Sequence, residues 1–431
     1  MLGAGALLLA PALGLGGRQG TEDWENEAIA YRSSKPDDPI THLQSALDSG
    51  KLTLAFDPRR GYLPAVLTAL HIPIASQTLV FSKTSFQHEL ISPDAPRALY
   101  FNDETYIGWV QQGPVLEVAT VDPSLGAVFY LLPQTKTARP RFVRTNDECL
   151  ECHGASMTNQ VPGLVMRSVY AGPDGQPDFS QGSYLTTDES PIKERWGGWY
   201  VTGTHGRQRH MGNAFARRRG DQVDLDTDSG ANVTSLANRL DTAPYLAATS
   251  DLVALMVMEH QTHLQNLIVK ASYQTRIALR YEQALNKELG RPADYRSDST
   301  VSRIASVCDP LVKAMLFCGE TRLTDPITGT SGFAQRFSAE GPRDPQGRSL
   351  KQLDLKTRLL QYPCSWMIYS PLFDAMPQAA RDYVYQRLSN ILTGKDGGKD
   401  FAQFSDADRK AVLEILTATK PSFAGWRTAH A

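Results

Sequence analysis

Long hydrophobic runs are missing from this sequence after its first residues, where no later stretch approaches the roughly 18 apolar residues of a membrane-spanning helix. The remainder of the chain is therefore not membrane-spanning. Charge of one sign is not in excess either: 44 basic against 46 acidic side chains leave a net −2 and no long basic run. That removes the electrostatic case for nucleic acid or an anionic membrane surface. A Gly-rich phosphate loop, a nucleophile elbow and a zinc-protease helix are all lacking, so hydrolase and nucleotide-dependent readings have no foothold. Cysteine is scarce, with five in the chain. What is present is an ordinary globular composition: 431 residues, 41% hydrophobic, enough for a large core and about two or three domains.

The opening "MLGAGALLLAPALGLGG" carries no charge before Arg18 and matches the apolar part of an export signal followed by small residues. Residues 1–20 are thus expected to be an export signal or, because no basic start precedes them, a retained N-terminal membrane anchor. The implied location is periplasmic or otherwise exported.

Beyond a polar stretch at Glu22 to Asp38, "THLQSALDSGKLTLAFD" predicts a short amphipathic helix, a stop and a strand. "GYLPAVLTALHIP" predicts a helix ending before Pro73. From Thr78 to Phe142 the pattern turns to β, with "TLVFS", "YIGWV", "LEVATV" and "AVFYLL" separated by turn-like "QQGP" and "DPSLG". "GLVMRSVYA" and "GWYVTGTH" continue it. A polar segment at 224–244 reads as a linker. From about Tyr245 the chain is helical, with "DLVALMVMEHQTHLQNLIVKASYQTRIALRYEQAL" free of Pro and Gly, then "PLVKAMLF", "LKQLDLKTRLLQ", "AARDYVYQRLSNILTG" and "DADRKAVLEILTATK", the last capped by Ser405. The expected class is α+β, a β-rich N-terminal module over 21–223 followed by an all-helical C-terminal domain over 245–431.

One pentapeptide carries chemistry. "NDECLECHGAS" places Cys149 and Cys152 three apart with His153 directly after. From composition, a Cys-x-x-Cys-His arises by chance about once in 10³ such chains, so accident is a poor account of it. Haem attachment needs this spacing: two thiols add across the vinyl groups of one porphyrin edge, and the adjacent imidazole sits under the iron. A zinc half-site needs a second donor pair, yet Cys308, Cys318 and Cys364 have no such spacing. A redox dithiol at a helix N-terminus has no use for the trailing histidine. Haem is favoured over these two alternatives.

On Cys149, Cys152 and His153 the chain resembles the c-type cytochromes. A β-rich module ending in "CLECHG" is also similar to haem-bearing PAS-like sensor modules. With "LVFSKTSFQ", "ALYFNDETYIGWV" and "YPCSWMIYS", the chain further resembles a group of exported bacterial monohaem proteins. The resemblance implies one covalent haem c, with Cys149 and Cys152 as thioether anchors, His153 as proximal iron ligand and a protein redox partner.

For the distal side of the iron, "GTHGRQRHMGN" supplies His205, His210 and Met211, 52 to 58 residues after His153, with Met157 and Met166 as nearer alternatives and an open position as a further one. Arg144 and Arg167, with Arg141, Arg195, Arg207 and Arg209, are candidate partners for the haem propionates, since guanidinium suits carboxylate. Trp196, Trp199 and Tyr200 are candidate pocket walls. Glu259, His260 and His263 share nearby helix faces, reading as an internal network ahead of a haem contact or a second metal. Cys308, Cys318 and Cys364 read as buried free thiols, with a bridge from Cys308 or Cys318 to Cys364 left open. The leading expectation is single-electron transfer through one haem. The alternatives are a haem oxidoreductase acting on a small molecule at an open distal site and a haem-based redox or gas sensor.

Overall fold

The computed structural model describes residues 22–220 and 222–430; the expected export segment lies outside them. Its centre is a seven-stranded antiparallel sheet: β1 (Thr78–Val80), β2 (Arg97–Phe101), β3 (Thr105–Trp109), β4 (Val115–Asp122), β5 (Gly126–Pro133), β6 (Val143–Thr145) and β9 (Trp199–Tyr200), in the order β6-β5-β4-β3-β2-β1-β9. A hairpin of β7 (Arg167–Val169) and β8 (Ser183–Leu185) stands beside it. The strands form where β-branched and aromatic residues cluster, because such side chains fit a pleated surface.

Alternation divides these residues between two faces. One face carries Ala98, Tyr100, Ile107, Trp109, Leu116, Val118 and Leu132, all buried. It is covered by α1 (Pro39–Asp48), where buried Asp38 caps the helix and accepts from Tyr130 Oη at 2.6 Å, and by Tyr245, whose ring packs on Trp109. The other face is covered over only part of its length. Phe101, Tyr106, Val121, Ala127 and Phe129 are buried, whereas Leu99, Glu117, Ala119 and Leu131 are half-open and Val143 is 55% exposed.

The covering element is α4 (Leu252–Glu288), started by Asp251, whose carboxylate accepts from the Val253 and Ala254 amides. Nearly every residue of its first five turns is buried: Leu252–Met258 is apolar all round, as a buried helix start is, and the buried polar residues that follow it are hydrogen-bonded. Gln261 and Gln265 meet Tyr106 Oη from above the sheet, and Tyr273 reaches Leu125 O. Alongside packs α5 (Asp298–Met315), followed by helices Phe333–Ala339, Pro371–Asp374, Gln378–Leu392, Asp406–Thr419 and Pro421–Ala429. The class is mixed α+β with the helices mainly in the C-terminal half. No helix among the described residues is long and apolar enough to cross a membrane.

Two helix expectations change. The helix predicted from "PLVKAMLF" begins earlier, capped by Ser297, and runs through Pro310. The one predicted from "LKQLDLKTRLLQ" does not form: Leu353 bridges Leu360, and the Asp354 carboxylate collects the amides of Lys356, Thr357 and Arg358. An aspartate that satisfies local amides in this way competes directly with helix.

Candidate functional site

β6 ends at Thr145, and α3 (Asp147–His153) folds the pentapeptide back over the incompletely covered face. Asp147 and Glu148 lie in its first turn, where negative charge complements the helix dipole. Leu150 points into the core, while Cys149 is half-buried and Cys152 exposed. Three residues apart on a helix, the two thiols share a side, and neither is in a disulfide. Gly154 ends the helix against Trp24: a Cβ there would lie 2.0 Å from the indole. Gly154→Ala is therefore expected to lower stability by about 1–3 kcal/mol through overpacking, read as a lower urea midpoint at unchanged m.

His153 lies against Phe129, ring centroids 5.0 Å apart. Its Nδ1 pairs with the Gly163 carbonyl at 2.9 Å, while its Nε2 has no hydrogen-bond partner among the described residues. The carbonyl is held in turn. The Gly163 amide donates to His153 O, and Thr158 Oγ1 donates to Val161 O. From α4, the Asn266 amide group makes both bonds to the Leu164 backbone, at 2.9 and 2.7 Å. Only glycine fits at 163, where a Cβ would meet Asn266 Oδ1 at 2.2 Å. Burial, with Arg97 adding to it, holds the His153 imidazole below its ordinary pKa range and so favours the neutral, ligating form.

The floor beside His153 follows from the strand register. Tyr106, Ala119, Phe129 and Thr145 form one row across β3 to β6. The next is Leu99, Gly108, Glu117, Leu131 and Val143. This second row spans about 19 Å over five strands and is the half-open one. Arg97 lies across Gly108, where a Cβ would strike its guanidinium, and pairs with Glu117 at 2.5 Å. Its Nε is buried without a partner. Glu117 is close enough to act electrostatically on both Cys149 and His153.

The donor set discriminates among the chemistries open to the motif. Burial pushes the Cys149 thiol up to about 11, the opposite of the lowered value an attacking dithiol needs. A structural zinc site takes four protein donors, and among the described residues no three His, Cys, Asp or Glu side chains gather in a metal-holding group. A covalently anchored haem asks only for two thiols on one side, one neutral imidazole with a free nitrogen, and a flat apolar seat. The two thiols, the His153 imidazole and the apolar Leu99, Ala119, Leu131 and Val143 fit it, while the Arg97–Glu117 ion pair is the polar part of the floor.

Other candidates lie elsewhere. His205, His210 and Met211 are all buried, and no hydrogen bond or ring contact joins them to the pentapeptide among the described residues. The His205 and His210 rings stand 4.7 Å apart, and Trp196 meets His210 edge-on at 5.2 Å. His205 Nε2 accepts from the Asn232 amide, neither His210 nitrogen has a hydrogen-bond partner among the described residues, and Met211 Sδ accepts from Ser168. Burial, then the neighbouring His205, pushes His210 down to about 3.

The guanidinium groups of Arg144, Arg167, Arg141 and Arg209 are committed as well. Arg144 projects to the covered face and donates to Tyr31 O and Ser34 O; Arg167 bonds Ser183 Oγ and lies over Phe179. Arg141 pairs with Asp48 and Arg209 with Asp228, and the Arg207 amide donates to Asp325. Arg97 is a cation beside the motif, close enough to act on His153, and Arg32 pairs with Asp147 at the start of α3. Sequence reasoning passed over Arg97, although a charged residue at the head of a buried strand was the available signal.

Glu259, His260 and His263 form an internal network. Arg195, expected as a propionate partner, instead pairs with Glu259 at 3.1 Å, both fully enclosed. His260 bridges Asp188 Oδ1 (3.1 Å) and Ser365 Oγ (2.9 Å) and stacks on Phe317. The order Ser365, His260, Asp188 is that of a hydrolytic triad, but Ser365 is wholly buried and its Oγ accepts the Met367 amide, so no substrate reaches it. Cys308, Cys318 and Cys364 are buried free thiols, and burial raises each. A cleft of about 490 Å³ opens at the opposite end of the sheet, walled by Phe101, Phe333, Phe337 and Trp366, and none of the pentapeptide lines it.

Comparison with known protein families, with curated proteins and with solved structures finds no match for this chain.

Proposed function

We propose that this is an exported c-type haem protein that transfers single electrons through one covalently bound haem. The observation that carries the reading is His153: its Nδ1 is fixed by the Gly163 carbonyl while Nε2 stays free, the arrangement that selects a tautomer and orients a ligating imidazole. Cys149 and Cys152 anchor the porphyrin edge through thioethers. Leu99, Ala119, Leu131 and Val143 supply the apolar seat, and Arg97, with a buried unpartnered Nε, is the donor for a propionate. When bound, the haem supplies a one-electron iron couple, tuned by its axial ligands and by burial. The chain's own part is to hold the imidazole neutral, limit water on one side, and leave Cys152 and the porphyrin edge near it at the surface for a redox partner.

Intact-mass analysis of protein exported by a host with haem-attachment machinery tests this. Wild type is expected to carry one haem mass that survives denaturation, and its reduced form is expected to stay spectrally unchanged under carbon monoxide. A mature chain without added mass overturns the haem reading. Ready carbon monoxide binding overturns the electron-carrier reading in favour of small-molecule chemistry or sensing at the iron.

A further inference from the structure

Across the half-open floor from His153 lies the connection from β1 to β2, where residues His88–Leu90 form a short 3₁₀ turn. Gln87 pins it, donating through Nε2 to Glu117 Oε1 (2.8 Å) and to Val115 O (3.3 Å). Phe86 and Leu90 on this connection are 55% and 42% exposed, and both are large apolar groups without cover. Val143, at the end of the floor row, is equally uncovered. His88 is also half-exposed, and among the described residues its side chain pairs through Nε2 with Glu89 at 3.0 Å, a side chain 85% exposed. Such surface pairs contribute little and are readily given up.

Register supplies the spacing. His153 stands at the level of Phe129, which pairs with Ala119, while Gln87 is fixed at Val115. From Val115 to Ala119 is four residues of β4, about 14 Å at ~3.4 Å per residue. Between those levels the floor is Leu131 and Glu117, with the Arg97 guanidinium lying over Gly108, so a flat ligand standing on edge there has one imidazole on each side and Arg97 beneath it.

We infer that His88 is the second axial ligand of the haem, facing the free Nε2 of His153 across the Leu99–Val143 row. This rests on the haem reading above. His88 precedes the attachment motif in the chain, so its turn closes over the seat from the β1–β2 side. Once it ligates, Phe86 and Leu90 are drawn against the macrocycle and their exposed apolar area falls, which favours closure.

The experiment uses the full exported chain carrying its haem. Wild type is expected to be low-spin and six-coordinate by absorption and electron paramagnetic resonance. His88→Gly is expected to keep the haem mass, lose the low-spin signature and gain carbon monoxide binding, and added imidazole is expected to restore the low-spin spectrum. An unchanged low-spin spectrum in His88→Gly overturns the inference, as does a His210→Ala variant that opens the iron in its place. A wild type that is already high-spin overturns it while leaving covalent attachment intact. Absence of haem mass in wild type overturns the haem reading itself and this inference with it.

Discussion

Cys149→Ala combined with Cys152→Ala is expected to abolish covalent haem completely: no haem-stained band after denaturing electrophoresis and no added mass, in a protein still exported and folded. The fold survives because neither thiol supports it. Cys152 is exposed, Cys149 only half-buried at the edge of the core, and neither is bridged. Small changes at such sites lie within about 0.5–1 kcal/mol of wild type. Each single variant keeps one anchor and is expected to retain haem in reduced yield. Cys149→Ala is expected to be the worse of the two, because Cys149 sits nearer the sheet floor, within reach of Glu117 and Thr145. The discriminating observation is circular dichroism on the double variant. A native-like spectrum without haem supports the anchors; persistent haem mass removes them.

Arg195→Met is expected to cost about 3–5 kcal/mol near pH 8, the largest stability loss of any single change considered for this chain, because it strands Glu259 as a buried charge. The sign of the pH dependence follows from Glu259. Burial, opposed by Arg195, already raises its carboxyl to about 7, above its ordinary value of about 4.3. Between those values the folded state holds a proton that the unfolded state has released. That group's contribution is present below about pH 4 and declines as pH rises towards 7. Without Arg195 the raising influence is unopposed, so the variant's deficit is expected to shrink on acidification, as Glu259 becomes a neutral acid that needs no partner. Urea titrations at pH 5 and pH 8 measure this. A deficit independent of pH would show that the guanidinium matters for packing and for its bonds to Ser190 O and Asp188 O, not for charge.

Near that pair, Asp188 is an instructive contrast. Burial pushes its carboxyl up, yet His260 and His263 outweigh burial and hold it well below the usual carboxylate range. Two acids at similar depth thus stand on opposite sides of their ordinary values. Arg195, Glu259, Asp188 and His260 join α4 to the 186–195 segment, and Ser365 extends the network to the C-terminal half. The helix that clamps the His153 loop through Asn266 is therefore also the one this network fixes.

By itself the sequence determined the local features. Two thiols and an imidazole in five residues are set by covalent spacing, which no tertiary contact can alter, and α4 was readable because 35 residues without Pro or Gly leave a buried helix little alternative. The Ser405 cap acts within one turn, and it and the periodicity after it were legible for the same reason. Tertiary structure decided what the motif faces. Alternation along β2 to β5 tells which residues share a face, but α4, far along the chain, covers Tyr106 and Phe129 and leaves Glu117, Leu131 and Val143 open. Strand parity puts Arg144, opposite Tyr130, on the covered face, and Arg97 came to the site from more than 50 residues before the motif. His88 had no sequence signal at all, because a short turn is placed only by what Gln87 can reach. Site chemistry carried by neighbours in sequence is local and therefore legible; a seat built from strand register and a distant helix exists only once the chain has closed on itself.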